Sequence, residues 1–471
     1  MFRDISKHIV SIISELFRNE EALILFIVLI VGGALFFVPL DQITLFGTRS
    51  ISHAVVSFIQ STMWLWAFLI LRPMVTSSWL FWRNESFKKK QKNILLEIRI
   101  PRLVKESPRA MEQVMASLHS LRNVASDLGE RWKDGEVTRW FSLEMVSFGG
   151  EIHFYIRVVK KQRNLVEAAF YSYYPDVELE EVDDYIETAI PVDMQEVYRQ
   201  GYDFWGTEMI LRRESAYPIK TYLEFESSEE GRTFDPISAF LEVLGKIKKE
   251  EIVGIQINIA AAQANWGKKW DGLLNRLSEP KTKALSDEGG GRLTVSRTPG
   301  EINVLKAVEA NLSKPAFHTL VRFIYLSPKP LFYDSYARRG LTGAFNQYAA
   351  LDLNSISQNH PISTRTRFWY WPHVFPKTRN ELKKQRMLYN YRNREMPPET
   401  FMGRVLSSHP MNWNAHSKTF LLNIEGAATL FHLPTEVVLT GPHIKRVESR
   451  KGGAPAGLAI FGGDEEMDKF T

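Results

Sequence analysis

The first chemical question that the sequence raises is whether its histidines could bind a metal ion. The eleven histidines form no HExxH or HxxxH pair, the spacing that places two ligands on one face of a helix. Four of them cluster loosely in the C-terminal third, at His360, His373, His409 and His416. Histidines scattered in loops are more common than metal sites, so we predict no metal and no other cofactor. A membrane-bound, nuclease-like metal enzyme that uses His360, His373 and His416 stays open as the alternative.

Motifs for nucleotide binding and for nucleophilic catalysis are absent from the sequence. A P-loop needs a glycine five positions before a Gly-Lys pair and a hydroxyl residue after it. The two Gly-Lys pairs, Gly245-Lys246 and Gly267-Lys268, have neither. No G-x-S-x-G elbow occurs, and the lack of cysteine excludes disulfides, cysteine zinc sites and thiol catalysis. We therefore predict that the protein is not an enzyme.

A basic segment, KKQRMLYNYRNR (383–394), alternates basic and aromatic residues and could follow a nucleic-acid backbone. Its candidate phosphate contacts are Lys383, Lys384, Arg386 and Arg392. The same segment, as a helix, has an apolar inner face formed by Met387, Leu388 and Tyr391. This pattern favours a solvated amphipathic helix over a direct DNA-binding element. An RNA-binding sheet is disfavoured too. The strand that carries His153 and Tyr155 offers aromatic side chains on one face, but the basic-glycine-aromatic core of RNA-recognition sheets is missing from it.

The segment NIEGAATLFHLPT (423–435) carries one histidine near the end of a predicted short helix, which Pro434 stops. Read alone, His432 invites a catalytic role. Its apolar neighbours instead form a small face, so we interpret His432 as the polar edge of a helix that docks a partner. The predicted docking residues are Leu430, Phe431 and His432.

Two uncharged segments near the N-terminus predict a pair of membrane-spanning helices. Residues 22–40 carry no charge, and this is about the length that spans a bilayer's hydrocarbon core. Residues 51–71 form a second and weaker segment. The short linker between them predicts a transmembrane hairpin over 21–72. Residues 1–20 have isoleucines at helical spacing, which predicts an amphipathic leader helix on the membrane surface. An extension of the first spanning helix stays open as the alternative.

The placement of lysine and arginine orients this hairpin. The linker between the two spans holds only Arg49, whereas a basic juxtamembrane linker at 73–92 follows the second span. The lysines predicted to lie against anionic headgroups of the lipid bilayer are Lys88, Lys89, Lys90 and Lys92. By the positive-inside rule, both termini face the cytoplasm.

The residues after the basic cluster predict an α+β protein. Between 93 and 190 the elements read β-α-β-β-α-β, the order of a ferredoxin-like split βαβ domain. Ser107 and Pro108 mark the start of its first helix, and Gly149-Gly150 predicts a hairpin between its two central strands.

A second α+β cytoplasmic module of related type is predicted over 200–330. Its candidate strands include TYLEFE (221–226), and its polar, glycine-rich stretch at 278–300 predicts a mobile loop. A helical and irregular C-terminal region follows at 331–440, and the composition of 441–471 is that of a flexible tail.

The order of these blocks resembles a known group of proteins. The blocks are LLEIRIPRLVKESPRAMEQVMASLHSL, FSLEMVSFGGEIHFYIRVVKKQRNLVEAAFYSYYPDVELEEVDDY, EIVGIQINIA, LSKPAFHTLVRFIYL and FLLNIEGAATLFHLPT, which follow the basic-flanked hairpin. Together they resemble a family of uncharacterised bacterial membrane proteins related to the N-terminal region of conjugation and type IV secretion ATPases of the HerA/FtsK class. The resemblance covers residues from about 20 to 450.

The resemblance implies a non-catalytic, membrane-anchored component of a type IV secretion-like or DNA-transfer machine in the bacterial inner membrane. In the ATPase relatives, a motor domain follows the block that resembles 421–435. The sequence here has no Walker motif after that block, so we expect no ATPase activity. The implied partners are a separate HerA/FtsK-type ATPase or sibling subunits, including further copies of this chain.

Overall fold

The computed structural model of the chain describes residues 49–447, apart from 102–103, 105, 126, 227–233, 280, 285–291, 296, 366–373 and 436–445. The predicted leader at 1–20, the first predicted span at 22–40 and the predicted tail beyond residue 447 lie outside the described residues. The chain divides into two units, Met1–Pro73 and Met74–Thr471.

The first described element is α1 (Arg49–Lys90), a helix of 42 residues. It contains the second predicted span and continues through the predicted juxtamembrane linker, which is helical as far as Lys90. Pro73 lies inside this helix, and one proline bends a helix without having to end it. The part Thr62–Lys90 is long and apolar enough to cross a membrane, by length and composition. The two-helix hairpin is not confirmed, because its first span lies outside the described residues.

The unit Met74–Thr471 has a mixed α+β fold built on one sheet, as the composition of its segments predicts. In this sheet the described residues form ten strands that pair antiparallel, except for the parallel pairing of β12 with β1. The strands are β1 (Asn93–Pro101), β2 (Trp140–Phe148), β3 (Glu151–Val159), β4 (Glu178–Val182), β5 (Tyr202–Leu211), β6 (Ile252–Ala261), β9 (Ala316–Pro328), β10 (Ile356–Gln358), β11 (Phe420–Asn423) and β12 (Arg446–Val447).

The helices of this unit lie on both faces of the sheet. They are α2 (Pro108–Ser120), α3 (Arg163–Tyr171), α4 (Tyr185–Ala189), α5 (Met194–Arg199), α6 (Tyr222–Glu226), α7 (Ser238–Gly245), α8 (Asp271–Ser278), α9 (Pro299–Leu312), α10 (Asp334–Asn346), α11 (Pro376–Arg392), α12 (Phe401–Ser407) and α13 (Ile424–Leu430). Short 3₁₀ or π turns lie at Glu130–Asp134, Lys160–Gln162, Trp266–Trp270 and Pro410–Asn412.

The first half of the sheet has the predicted element order. Its strands lie in the order β4-β1-β3-β2, with α2 and α3 as the two connections of a split βαβ arrangement. Ser107 caps α2 as predicted, since its hydroxyl accepts a hydrogen bond from the Arg109 amide at 3.3 Å. Gly149 and Gly150 form the predicted hairpin turn, and their φ angles of 59° and 99° explain why glycine occupies both positions.

The second half of the sheet repeats the arrangement of the first. The strands β5, β6, β9 and β10 lie in the order β10-β5-β9-β6, with α7 between β5 and β6 and α10 between β9 and β10. An excursion of α8, α9 and a separate hairpin interrupts the connection from β6 to β9. The two halves therefore share one plan, and the second carries an insertion where the first has a tight turn.

The antiparallel pairing of β2 with β6 joins the two halves into a continuous sheet. The paired residues run from Trp140 opposite Ala260 to Phe148 opposite Ile252. The boundary predicted between residues 190 and 200 therefore does not divide the sheet. Because the two strands that pair would each be an edge strand of an isolated half, their pairing also protects two exposed edges.

One face of the sheet carries the larger apolar core. The helices α2, α3, α7, α10 and α13 cover this face, where the strands present alternate apolar side chains such as Leu143, Ile156 and Ile257. Each fully buried side chain of this size contributes about 1.5–3 kcal/mol relative to exposure. Period-two alternation is thus what fixes which side of each strand meets these helices.

The opposite face is covered by α4, α5 and α11, which pack on a smaller apolar cluster. Met387, Leu388 and Tyr391 of α11 are fully buried there, as the amphipathic pattern predicts. Gly206 and Gly254 lie on the strands either side of Ile324, directly beneath α11. A Cβ atom at Gly254 would meet Tyr391 Oη at 1.9 Å, so glycine permits the close approach of helix and sheet.

Three predicted segments differ in the structure. TYLEFE is expected to be a strand, but Tyr222–Glu226 is helical (α6). The aromatic residues Tyr222 and Phe225 are three positions apart, and this spacing also places two side chains on one face of a short helix. The stretch predicted as a mobile loop contains an antiparallel hairpin of β7 (Lys281–Ala284) and β8 (Arg292–Val295). The region 331–440 adds β10 and β11 to the sheet, and these strands of three and four residues are too short for alternation to reveal.

Replacing Gly254 with alanine tests the close contact between α11 and the sheet. We expect a loss of about 1–3 kcal/mol in the free energy of unfolding, because the added methyl group displaces Tyr391. The matched control is Gly272→Ala on α8, where a Cβ meets no atom within 4 Å and should cost nothing. Urea denaturation of both variants decides the point, and equal stabilities would contradict the described packing.

A buried polar row as the candidate functional site

A row of polar side chains crosses the centre of the sheet beneath α11. Six adjacent strands each contribute one residue at the same register, and neighbours in the row are direct cross-strand partners. The row is Glu97, Tyr155, Glu144, Gln256, Arg322 and Glu208. All six are buried, and buried charges are costly unless they are paired and hydrogen-bonded. This row is therefore where catalytic or binding chemistry would be expected.

Glu144 at the centre of the row is bound by an arginine that follows α11. Arg394 donates to both oxygens of Glu144, with Nη2 at 3.1 Å from Oε2, and also donates to Asp184 Oδ1 at 3.0 Å. Tyr185 Oη donates to Glu144 Oε2 at 2.7 Å and lies 2.8 Å from Tyr391 Oη. The carboxylate of Glu144 is thus surrounded by hydrogen-bond donors.

The pKa values of the neighbouring groups follow from this pairing. Burial disfavours the charged form of Arg394, but Glu144 and Asp184 outweigh it and raise the Arg394 pKa. Burial would raise the pKa of Asp184, yet its hydrogen bonds from Arg394 lower it. Burial and the charge of Glu144 raise the pKa of Tyr185. All three shifts favour fixed protonation states, which does not suit a group that exchanges protons near neutral pH.

A second ion pair, between Arg322 and Glu208, lies at one end of the row. Arg322 Nη2 donates to Glu208 Oε1 at 2.7 Å, and Ser417 Oγ donates to the same oxygen at 2.9 Å. Arg322 also donates to the carbonyl oxygens of Asn390 and Glu395, just before and after the end of α11. Glu208 Oε2 has no donor among the described groups. The pair connects two strands of the sheet, β5 and β9, to the end of α11 and the segment that follows it.

The basic residues predicted to contact nucleic acid all lie on α11. Most of their side chains are buried or donate hydrogen bonds to groups of the same chain. Lys384 Nζ donates to Asp203 Oδ1 at 2.6 Å, and Arg392 Nη1 donates to the carbonyl of Ile186 at 2.7 Å. Lys383 is buried, and burial with nearby Arg379 lowers its pKa to about 8. Burial likewise lowers the pKa of Arg386. The structure thus brings these four side chains to one helix, without forming an exposed basic surface of them.

The predicted docking residues lie in the core of the protein. Leu430, Phe431 and His432 are 0–1% exposed. The helix α13 packs against α2 on the face of the sheet that carries the larger apolar core. His432 Nε2 lies 2.8 Å from Asp235 Oδ1, and its Nδ1 lies 2.9 Å from the Ala428 carbonyl. A partner could reach these three side chains only if α13 left the sheet.

Asp235 shows why His432 belongs to the core. Burial alone would raise the pKa of Asp235, but His432 and two hydrogen bonds from Thr435 lower it to about 2. Asp235 Oδ1 also accepts from the Ile237 amide at 3.0 Å, at the start of α7. One carboxylate therefore ties α7 to the segment after α13.

The four lysines of the predicted membrane-surface patch lie at and just beyond the end of α1. Lys89, Lys90 and Lys92 are exposed, as contact with headgroups requires. Lys88 instead pairs with Glu85 and Glu395. Lys88 therefore joins the end of α1 to the segment that follows α11.

The histidines of the metal-enzyme alternative are scattered. His360 is exposed, His409 accepts a hydrogen bond from the Met411 amide, and His373 lies outside the described residues. His416 lines a small cleft beside Arg386. Within the described part of the chain, no three histidine or acidic side chains come close enough to hold a metal ion.

The sequence contained a signal for the polar row that the search for motifs missed. The strands WFSLEMVSF, IVGIQINIAA and AFHTLVRFIYLSP each carry polar residues at positions that alternate with buried apolar ones. In a strand that is buried on both faces, such residues must find partners. Ser142, Glu144, Gln256, Asn258 and Arg322 could be found in this way.

The profile of one protein family, described as a domain of unknown function (DUF8128), matches residues 83–445 of the chain. No curated protein sequence matches the chain significantly.

Replacing Asp235 with asparagine tests the pair with His432. The pKa of about 2 in the folded chain lies below the usual value of about 3.9. The carboxylate therefore stabilises the fold above about pH 4, and this contribution is lost as the pH falls toward about 2. We expect the free energy of unfolding of the wild type to exceed that of Asp235→Asn by about 2–3 kcal/mol near about pH 6. This difference should narrow toward about pH 3.

Urea denaturation over a pH series measures this gap. Asp352 is exposed, so Asp352→Asn serves as the matched control and should differ from wild type by at most about 0.5 kcal/mol at every pH. A gap for Asp235→Asn that does not change with pH would contradict the assigned pairing.

Proposed function

The chain belongs to the DUF8128 family, and we propose that it is a non-catalytic, membrane-anchored scaffold of a secretion or DNA-transfer machine. In this proposal two ferredoxin-like modules on the cytoplasmic side of a bacterial inner membrane dock a separate HerA/FtsK-type ATPase or sibling subunits. The observation that carries the non-catalytic part is the buried polar row, whose charged groups all have partners of opposite charge inside the protein. The secretion or DNA-transfer machine and the ATPase partner are inferred from the resemblance of the sequence blocks.

The anchoring part of the proposal is supported by α1. Its stretch Thr62–Lys90 is long and apolar enough to cross a bilayer, and none of the described side chains in its most apolar window is buried inside the protein. Phe68 and Leu69 expose about half of their surface, which favours a lipid environment over water. The two-span topology with both termini in the cytoplasm remains part of the proposal.

The region where α1 meets the cytoplasmic unit has the composition of a membrane interface. Trp79 and Trp82 lie 5.5 Å apart with Arg83 beside both rings, and each tryptophan is about half exposed. Trp79 Nε1 donates to the Trp132 carbonyl at 3.1 Å. Tryptophan and arginine in this arrangement are typical of the headgroup region.

A second helix adds apolar surface at the same place. The amide of Met402 on α12 donates to Ser77 Oγ at 2.9 Å, which fixes α12 against α1. Val405 and Leu406 of α12 are 46% and 59% exposed. An exposed apolar helix beside the end of a candidate span supports contact with the bilayer surface.

The non-catalytic part of the proposal rests on how the sheet is closed. Ferredoxin-like sheets that bind nucleic acid use an open face with aromatic side chains. Here Tyr155 stacks on Tyr185 of α4 with ring centroids 5.2 Å apart, and α11 covers the neighbouring strands. This arrangement supports a structural role for the face over DNA binding or metal-dependent catalysis.

Photocrosslinking from carbonate-washed membranes tests the proposal. A photoreactive residue is placed in the full chain at one of three exposed sites, Leu128, Val192 or Leu351, which are 75%, 65% and 99% exposed. The control site is Leu244, which is buried at 0% exposure. We expect the chain to stay with the washed membranes and an exposed site to capture a HerA/FtsK-type ATPase or a sibling subunit.

Two outcomes would contradict the proposal. Release of the intact chain by the carbonate wash would refute the anchor. Capture of neither an ATPase of this class nor a sibling subunit from any exposed site, with the bait intact, would refute the scaffold role.

A further inference from the structure

A polar cleft opens where the end of α1 meets the sheet and the end of α11. It measures about 630 Å³, part of it open to solvent, and its lining includes Lys88, Lys89, Gln91, Trp140, Arg157 and Tyr389. The end of α1, the strands β2 and β3, and the end of α11 together form it. Neither the polar row nor the paired lysines of α11 belong to this cleft.

Arg157 is the unusual residue of the cleft. It lies on β3 opposite Ser142, on the same face of the sheet as Glu144. Its guanidinium makes no hydrogen bond or ion pair with any described residue, unlike Arg322 and Arg394 on the same face. Burial and the nearby charge of Arg394 lower the pKa of Arg157 to about 10. Arg157 is thus a partly buried cation that its surroundings do not neutralise.

The acidic residues around the cleft are already engaged. Glu85 and Glu395 line it, but both pair with Lys88. Glu144 and Asp184, the next carboxylates, are held by Arg394. The charge of Arg157 is therefore left for a group that the protein itself does not supply.

Other donors converge on the same space. Lys89 is exposed at the rim and forms no ion pair with a described residue. Gln91 Nε2 is a buried amide donor without an acceptor among the described groups. Trp140 and Tyr389 supply aromatic walls, and Trp140 is fixed by its hydrogen bond to the Arg394 carbonyl at 3.0 Å.

We propose that this cleft binds the phosphate group of an anionic ligand, with Arg157 as its anchor and Lys89 and Gln91 as further donors. A guanidinium matches two phosphate oxygens at once, and charge-assisted bonds of this kind are the strongest in a partly buried site. The ligand is a soluble phosphate or the phosphate headgroup of a lipid, since the cleft lies at the end of α1. The inference stands apart from the scaffold role, because soluble phosphate tests it without reference to any partner.

Two binding measurements on the full chain distinguish the sources of the phosphate. Equilibrium dialysis of radiolabelled inorganic phosphate, with the chain held in phosphatidylcholine nanodiscs, tests the soluble ligand. Native mass spectrometry of the detergent-solubilised chain with added phosphatidic acid, compared with phosphatidylcholine, tests the lipid headgroup. We expect saturable binding in at least one arm, and raised salt should weaken it.

Charge-neutralising variants connect the binding to the cleft. Arg157→Gln should weaken binding at least about tenfold, since it removes a charge-assisted contact of more than about 1.4 kcal/mol. Arg199→Gln is the matched control, because its side chain is 79% exposed and distant in sequence from the cleft, and it should bind as wild type does. Lys89→Gln changes an exposed residue that cannot unfold the core, and should weaken binding about fivefold.

Each result decides the proposal. Arg157-dependent binding of inorganic phosphate alone identifies a soluble ligand, and Arg157-dependent binding of phosphatidic acid alone identifies a lipid headgroup. Absence of binding in both arms overturns the proposal. So does binding that Arg157→Gln and Lys89→Gln leave unchanged, and if Arg157→Gln fails to fold, Lys89→Gln alone decides.

Discussion

The structure depends on neutralising the charges that lie in one row across the middle of its sheet. Glu144 and Glu208 are both fully buried, and a buried carboxylate is costly unless a cation pairs with it. Arg322 comes from the sheet itself, but Arg394 comes from the segment after α11. To reach Glu144, Arg394 adopts a φ of 50°, a left-handed conformation that is uncommon for any residue except glycine. The end of α11 is thus shaped by the need to place one guanidinium.

The same row shows how the two halves of the sheet correspond. Across the β2–β6 junction, Glu144 faces Gln256, and the next positions outward are Tyr155 on one side and Arg322 on the other. Beyond them lie Glu97 and Glu208, on strands with equivalent places in the two split βαβ halves. Two similar modules therefore meet edge to edge with polar groups at matching positions. Their shared face is polar at the centre and is closed by α11, which explains why a sheet of this type presents no open surface there.

Much of the first half of the fold could be predicted from local sequence. Ser107, Gly149 and Gly150 act through their own backbone or nearest neighbours, so capping and turn rules identify them. The partner of Glu144 could not be predicted, because Arg394 lies 250 residues away. Lys384 was predicted as a possible phosphate contact for the same reason. Its partner Asp203 lies 181 residues earlier, so the sequence does not show that its charge is paired. The short helix before His432 was predicted correctly from its local sequence. Only the fold shows that Asp235 faces His432.

The central claim is that the polar row holds α11 and the segment that follows it to the sheet. A double-mutant cycle between Glu144→Gln and Arg394→Met, measured by urea unfolding of the full chain, tests it most directly. Each single change should cost about 3–5 kcal/mol, because it removes one partner of a buried, hydrogen-bonded ion pair. The double variant should lose at least about 2 kcal/mol less than the sum of the two. Losses that add to within about 0.5 kcal/mol would contradict the claim.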